Sequence, residues 1–126
     1  MSRRIPYVVY VALLGFGVSM TGHAVMAAEV AQGRALYQQY CSACHGLQGK
    51  GDGPAAATMQ PKPRNHTDGT YMNTLSDDHL VQVITAGGPA VQKSPLMPPW
   101  KGTLTPAQVQ DIVVYLRTLA VPPYTP

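Results

Sequence analysis

Both cysteines of the chain fall in one stretch, YCSACHGLQGKGDGP, residues 40 to 54, with Cys41 and Cys44 three residues apart and His45 directly behind. Thiols and imidazole in this order serve three chemistries: dithiol–disulfide exchange, metal chelation, and covalent attachment of haem through thioethers. An exchange pair belongs at a strand-to-helix turn of a βαβ unit, and no segment here has the alternation of a strand. A structural zinc site takes four ligands, usually as two spaced pairs. His66 and His79 stand thirteen residues apart and match no compact knuckle. A disulfide across two intervening residues closes a very small loop and stabilises little. Haem attachment asks for this order: residues at offsets 0, 3 and 4 share one face at the end of a helix. Two sulfurs then meet the two vinyl groups, and the histidine beside the second sulfur becomes the proximal iron ligand.

The elements that must position these residues are helical. From Val30 to about Cys44, the residues Val30, Gly33, Tyr37, Tyr40 or Cys41, and Cys44 recur at the helical period. A glycine inside a helix costs about 1 kcal/mol relative to alanine, so Gly33 implies close approach of another backbone. A second helix starts at Ser76, a good cap with Asp77 and Asp78 in its first turn, and stops at Gly87-Gly88. The third opens on the capping box Thr105-Pro106-Ala107-Gln108. Val109, Ile112, Val113, Leu116, Leu119 and Ala120 give it an apolar stripe, and Pro122-Pro123 ends it before an extended tail. The fold is therefore all-α. Residues 46 to 75 and 87 to 104 hold little but turns, and loops this long are suspect in a small domain unless they serve a purpose. Three short helices also bury little by themselves, and domains of this size usually need a staple or cofactor. A haem at the centre supplies what both loops would pack on.

The N-terminus bears on the compartment. Arg3 and Arg4 precede a nearly continuous apolar run from Tyr7 to Met20, then a polar Thr21-Gly22-His23 and small residues before Ala28. This is the order of a secretory signal peptide, residues 1–27, cut before Ala28. The run is shorter than the roughly 20 apolar residues of a spanning helix; a retained anchor is the alternative. Residues 28–126 then form one domain, with a core of about 29–120 and a Pro-rich tail, 121–126. Without Arg3 and Arg4 the net charge falls from +3 to +1. The basic residues are scattered, with no cluster beyond Lys62-Pro63-Arg64, which argues against a nucleic-acid partner. Export agrees with haem attachment, which in bacteria takes place outside the cytoplasm, and the expected location is the periplasm.

Five stretches, GRALYQQYCSACHG, GKGDGP, LSDDHLVQVITAGG, SPLMPPW and LTPAQVQDIVVYLRTL, together resemble the class I c-type cytochromes. Within them, the chain is similar to the small cytochrome subunits of bacterial haem–copper oxidases. The resemblance implies a small cytochrome c fold, three main helices and long loops wrapped around one covalently attached haem c. It implies a crossing of the first and last helices at Gly33, Tyr37 and Tyr115, and His45 donating to the carbonyl of Pro54. Met59, Met72 and Met97 are the candidate sixth ligands. Met97, stiffened by its flanking prolines, is where the family holds its axial methionine, and Met59 and Met72 are expected as packing. A thioether ligand stabilises reduced iron and raises the potential.

Lys62 and Arg64 stand to meet the haem propionates or to sit as solvated loop charges. Trp100 is expected against the haem or the methionine loop, and His66 and His79 as exposed polar residues. The implied function is an electron carrier rather than an enzyme, docking transiently with an oxidase, a reductase or a dehydrogenase. The alternatives are a haem sensor or peroxidase with an open sixth site, and a tethered subunit of a respiratory complex.

Overall fold

The structure is a computed structural model that describes residues 21 to 126; the expected signal segment up to Met20 lies outside the described residues. Helix α1 runs Thr21–Tyr40, earlier than the expected start at Val30. The expected cut before Ala28 falls within it, in a stretch from Gly22 to Ala28 whose side chains are exposed. A one-residue irregularity at Cys41 separates α1 from the short α2, Ser42–His45. The chain stays hydrogen-bonded across that break, Cys41 N–H to the Tyr37 carbonyl at 2.8 Å and His45 N–H to the Cys41 carbonyl at 2.9 Å.

The two loops are less empty than their composition implies. A 3₁₀ turn covers Pro54–Thr58, and α3, Gly69–Met72, is capped by the Asp68 side chain, which accepts from the Tyr71 amide at 3.3 Å. Short polar caps of this kind carry no hydrophobic period and are hard to read from sequence. Helix α4, Asp77–Ala86, starts at the Ser76 cap, and a second 3₁₀ turn follows at Gly88–Val91. Helix α5, Pro106–Leu119, has both halves of its capping box. The Gln108 amide donates to Thr105 Oγ1 at 3.3 Å, and the Thr105 amide to Gln108 Oε1 at 2.9 Å. Among the described residues there is no strand, only two isolated bridges. The three long helices are the three expected.

The main packing joins α1 to α5. At Gly33 a side chain has no room: a Cβ would overlap the Asp111 carbonyl and lie 2.9 Å from Tyr115 Cβ. The two backbones touch there. Around the crossing, Leu36, Tyr37, Val109, Ile112, Val113, Tyr115 and Leu116 are buried, and Leu80 and Ile84 of α4 and Met72 of α3 extend the cluster. Each such side chain contributes about 1.5–3 kcal/mol when fully buried.

Arg117, near the end of α5, ties the rest together. Its guanidinium donates to the carbonyls of Met72 and Leu75 at 2.9 and 2.7 Å and pairs with Asp77 at 2.6 Å. It also lies 3.9 Å over the Tyr124 ring. The Pro-rich tail is held as well, since Asn73 Nδ2 donates to the Pro122 carbonyl at 3.1 Å and Gly69 N–H to that of Val121 at 3.1 Å.

Gly33→Ala should destabilise the protein by about 2 kcal/mol or more, because α1 must lift from α5 to admit a methyl group. Arg34→Ala, one residue on and exposed, should stay within about 0.5 kcal/mol of wild type. Denaturant unfolding compares the two, and equal stabilities would contradict a backbone contact at the crossing.

Candidate functional site

Between α1, α4, α5 and the two loops lies a cavity of about 470 Å³. Apolar side chains dominate its walls, among them Tyr40, Leu80, Val83, Ile84, Ile112 and Leu116. Protein interiors pack like organic crystals and keep few voids larger than a water, and an engineered apolar cavity of about 150 Å³ already takes up benzene. A space this large and this apolar is a site for a large apolar group.

Cys41, Cys44 and His45 all face it. Both thiols are free and half-buried. Burial, with the neighbouring Cys44 adding to it, pushes the Cys41 thiol up to about 12. At neutral pH it is a protonated thiol, the wrong state for disulfide exchange, which needs the thiolate. Among the described residues no group of three His, Cys, Asp or Glu side chains is placed to chelate a metal ion. Of the three chemistries, thioether attachment is the one that also accounts for the large apolar cavity beside the thiols.

His45 donates its Nδ1–H to the Arg64 carbonyl at 2.9 Å, which leaves Nε2 with its lone pair. Burial lowers its basicity, partly opposed by that hydrogen bond, so the imidazole is neutral at pH 7, the form that binds metal. The acceptor corrects the expectation of Pro54. Pro54 opens the 3₁₀ turn at Pro54–Thr58 and is exposed, whereas the loop after it folds back so that Arg64 lies beside the end of α2. Gly51 permits that return: its φ is 76°, and a Cβ there would stand 2.5 Å from the Pro63 carbonyl. Its amide donates to the His45 carbonyl at 2.8 Å.

His66 is half-buried, not exposed as expected. Its ring stacks on His45 with centroids 4.2 Å apart and planes 18° from parallel. Its Nδ1 is hydrogen-bonded to the Tyr37 hydroxyl at 2.9 Å. Burial first, then the neighbouring His45 and Arg64, hold its basicity well below the usual histidine range. Burial likewise keeps Tyr37 a neutral phenol. The stacking was invisible in the sequence, because the two histidines are separated by a loop with no periodicity.

Met97 lines the cavity from the segment between α4 and α5, with its carbonyl accepting from Gly88 N–H at 3.0 Å. Met59 and Met72 line it too, Met72 as a buried core residue. Trp100 is half-buried on the wall and packs edge-on to Tyr40, centroids 5.4 Å apart. His79 is half-buried on the same wall. Lys62 and Arg64 border the cavity, but their charged ends are engaged elsewhere. Lys62 Nζ donates to the carbonyls of Ala56 and Ala57 at 2.6 and 3.0 Å, closing the end of the 3₁₀ turn. The Arg64 guanidinium lies 4.0 Å over the Tyr71 ring.

A small all-α domain with Cys-x-x-Cys-His on the wall of a large apolar cavity is a class I c-type cytochrome. The chain belongs to the family described as cytochrome c oxidase, cbb3-type, subunit III, which it matches over residues 28–116. It is 29% identical over 91 residues to the cbb3-type cytochrome c oxidase subunit FixP of Bradyrhizobium diazoefficiens, covering 72% of this chain and 28% of that one. To the CcoP subunit of an Azospirillum species it is 31% identical over 108 residues, 81% of this chain and 32% of the relative. The chain thus spans about a third of the length of these relatives. Among solved structures, a Kuenenia stuttgartiensis reducing HAO-like protein complex holds a similar chain, with a TM-score of 0.60 and 33% identity. The likeness covers 71% of this chain and 41% of that one. The cofactor of the family domain is covalently bound haem c, and the single Cys-x-x-Cys-His gives one per chain.

Lys62→Ala should lower stability by about 1 kcal/mol, the weight of a charge-assisted hydrogen bond discounted for exposure. It should leave the redox potential close to wild type. Thermal unfolding and redox titration of one preparation check both, and a large potential shift with unchanged stability would assign Lys62 to the propionates instead.

Proposed function

We propose that the protein carries single electrons, with haem c attached through Cys41 and Cys44 and its iron held by His45 and Met97. One observation carries this reading: the Cys-x-x-Cys-His and Met97, distant in sequence, line one apolar cavity. The haem supplies a one-electron ferric–ferrous couple. Cys41 and Cys44 would hold its edge against the end of α1. His45, with Nδ1–H committed to Arg64, would present Nε2, and the stiff SPLMPPW segment would present the Met97 thioether. Because His45 and Met97 would both stay in place through a change of oxidation state, little rearrangement of the protein would accompany transfer. The apolar walls exclude water. The reading makes the protein a carrier and not an enzyme, serving an oxidase, a reductase or a dehydrogenase through small, transient contacts.

Export to the periplasm is part of the proposal and rests on the signal-like order of the first 27 residues. Among the described residues no helix is long and apolar enough to cross a membrane. A second reading, a subunit fixed in a larger respiratory assembly, draws support from the names of the relatives, which are oxidase subunits more than twice as long.

Methionine ligation gives ferric protein a weak near-infrared band. Met97→Ala should lose it, show a lower potential and bind carbon monoxide when reduced, because water does not favour ferrous iron as a thioether does. Met59→Ala and Met72→Ala should keep the band, with a stability loss of about 2–5 kcal/mol for the buried Met72. If either opens the iron and Met97→Ala does not, the ligand is misassigned; a wild type that binds carbon monoxide readily is a sensor or enzyme.

Intact mass of the native protein tests processing. A chain beginning near Ala28 with one haem added is expected from the soluble periplasmic fraction. Full-length chain in the membrane fraction would favour the fixed subunit.

A further inference from the structure

His66 has no part in the proposed ligation, yet it touches the residue at its centre. The His45 ring can turn about two side-chain bonds. Its hydrogen bond to the Arg64 carbonyl at 2.9 Å fixes where Nδ1 points. One such bond still lets the plane rock about the N···O line. The His66 ring, 4.2 Å away and 18° from parallel, closes that motion on one face. Near-parallel rings at this distance direct their nitrogens alongside one another and not toward an atom between them, so His66 is not a rival ligand on the opposite side.

His66 is itself held at two points. Its backbone amide donates to the Gly49 carbonyl at 2.6 Å, and its Nδ1 is bonded to the Tyr37 hydroxyl at 2.9 Å. Tyr37 is fully buried and packs edge-on to Tyr115, centroids 5.3 Å apart. The α1–α5 crossing therefore reaches the His45 ring through two aromatic contacts and one hydrogen bond. One three-residue segment, Arg64-Asn65-His66, supplies both the acceptor for His45 and the face against it.

We propose that His66 is a positioning residue, stacked on His45 and anchored by Tyr37, that fixes the plane in which the axial imidazole meets the iron. The proposal rests on the reading of His45 as axial ligand. An imidazole plane that is fixed imposes one pattern of unpaired spin on the ferric macrocycle, and a rocking plane averages it.

The test uses the haem-loaded protein at one fixed pH. Haem methyl resonances of the ferric state report the imidazole plane, a property that a merely structural role would leave unmoved. Haem content by absorption and the midpoint potential accompany them. His66→Ala should keep its haem and low-spin spectrum but change the spread of the methyl resonances and lower the potential, since water reaches the exposed face of His45. His66→Phe, which can still stack but loses the bond to Tyr37, should recover most of the wild-type pattern and fall near Tyr37→Phe. Tyr37→Phe should shift it in the direction of His66→Ala, by less.

An unchanged pattern in His66→Ala overturns the proposal, as does His66→Phe displaced as far as His66→Ala. If His66→Ala does not accumulate with haem, Tyr37→Phe decides: a moved pattern supports the proposal and an unmoved one overturns it. The wild-type spectrum separates the two readings. A high-spin wild type overturns the ligation and the positioning together, whereas a low-spin wild type indifferent to both substitutions overturns the positioning alone.

Discussion

The backbone contact between α1 and α5 at Gly33 governs where the chemistry sits. Because no side chain stands between Gly33 and the Asp111 carbonyl, the two helix backbones touch where they cross. One turn further along α1, Tyr37 is pressed into the core against Tyr115. One more turn brings Cys41, and the α2 turn then carries Cys44 and His45 onto the same cavity. From the α5 side of the crossing, Ile112 and Leu116 form part of the opposing apolar wall. A single close approach thus delivers two thiols and an imidazole to one surface and an apolar surface to face them.

Much of this was legible in the sequence. Helices α4 and α5 have caps whose chemistry is local: Ser76 with two aspartates behind it, and a Thr105–Gln108 box with proline at the first position. Local signals survive without knowledge of the fold. Gly33 was legible for the opposite reason, as a costly residue in a helix that only a tertiary contact could justify. The Cys-x-x-Cys-His and Met97 were legible by type and setting, and the structure brings all four to one cavity. The early start of α1 was missed because Thr21 to Ala28 have the small-residue composition of a cleavage region, and the exposed side chains of residues 22–28 give no core-facing pattern to betray a helix.

What the sequence did not yield lies between His45 and Leu75, where order comes from main-chain hydrogen bonds. Gly51 and Gly53 amides return to the carbonyls of His45 and Cys44, and the His66 amide reaches Gly49. Carbonyls are the same in every residue, so such pairings leave no side-chain pattern. The acceptor for His45 shows the consequence. Pro54 and Arg64 offer identical carbonyl groups, and which of them His45 meets depends on the path of the loop, not on either side chain. Lys62 shows it in reverse, since its charge suggested a partner outside the protein while its ammonium closes the end of the five-residue turn Pro54–Thr58 just before it.

The groups around the proposed iron ligand share one electrostatic property. Among the described residues no charged side chain is buried, and burial holds Tyr37, His45 and His66 in their neutral forms. The surroundings supply dipoles and a polarisable sulfur but no fixed anion in the core. An apolar setting penalises whichever state carries more net charge. A haem held by two neutral ligands, His45 and Met97 as proposed, would gain one positive charge at its iron core on oxidation, a charge that this apolar setting would penalise. Thioether ligation by Met97, as proposed, would act in the same direction. The fold that excludes water to stabilise its own small core would therefore also bias the potential of such a haem upward, making packing and redox tuning two consequences of one apolar cavity.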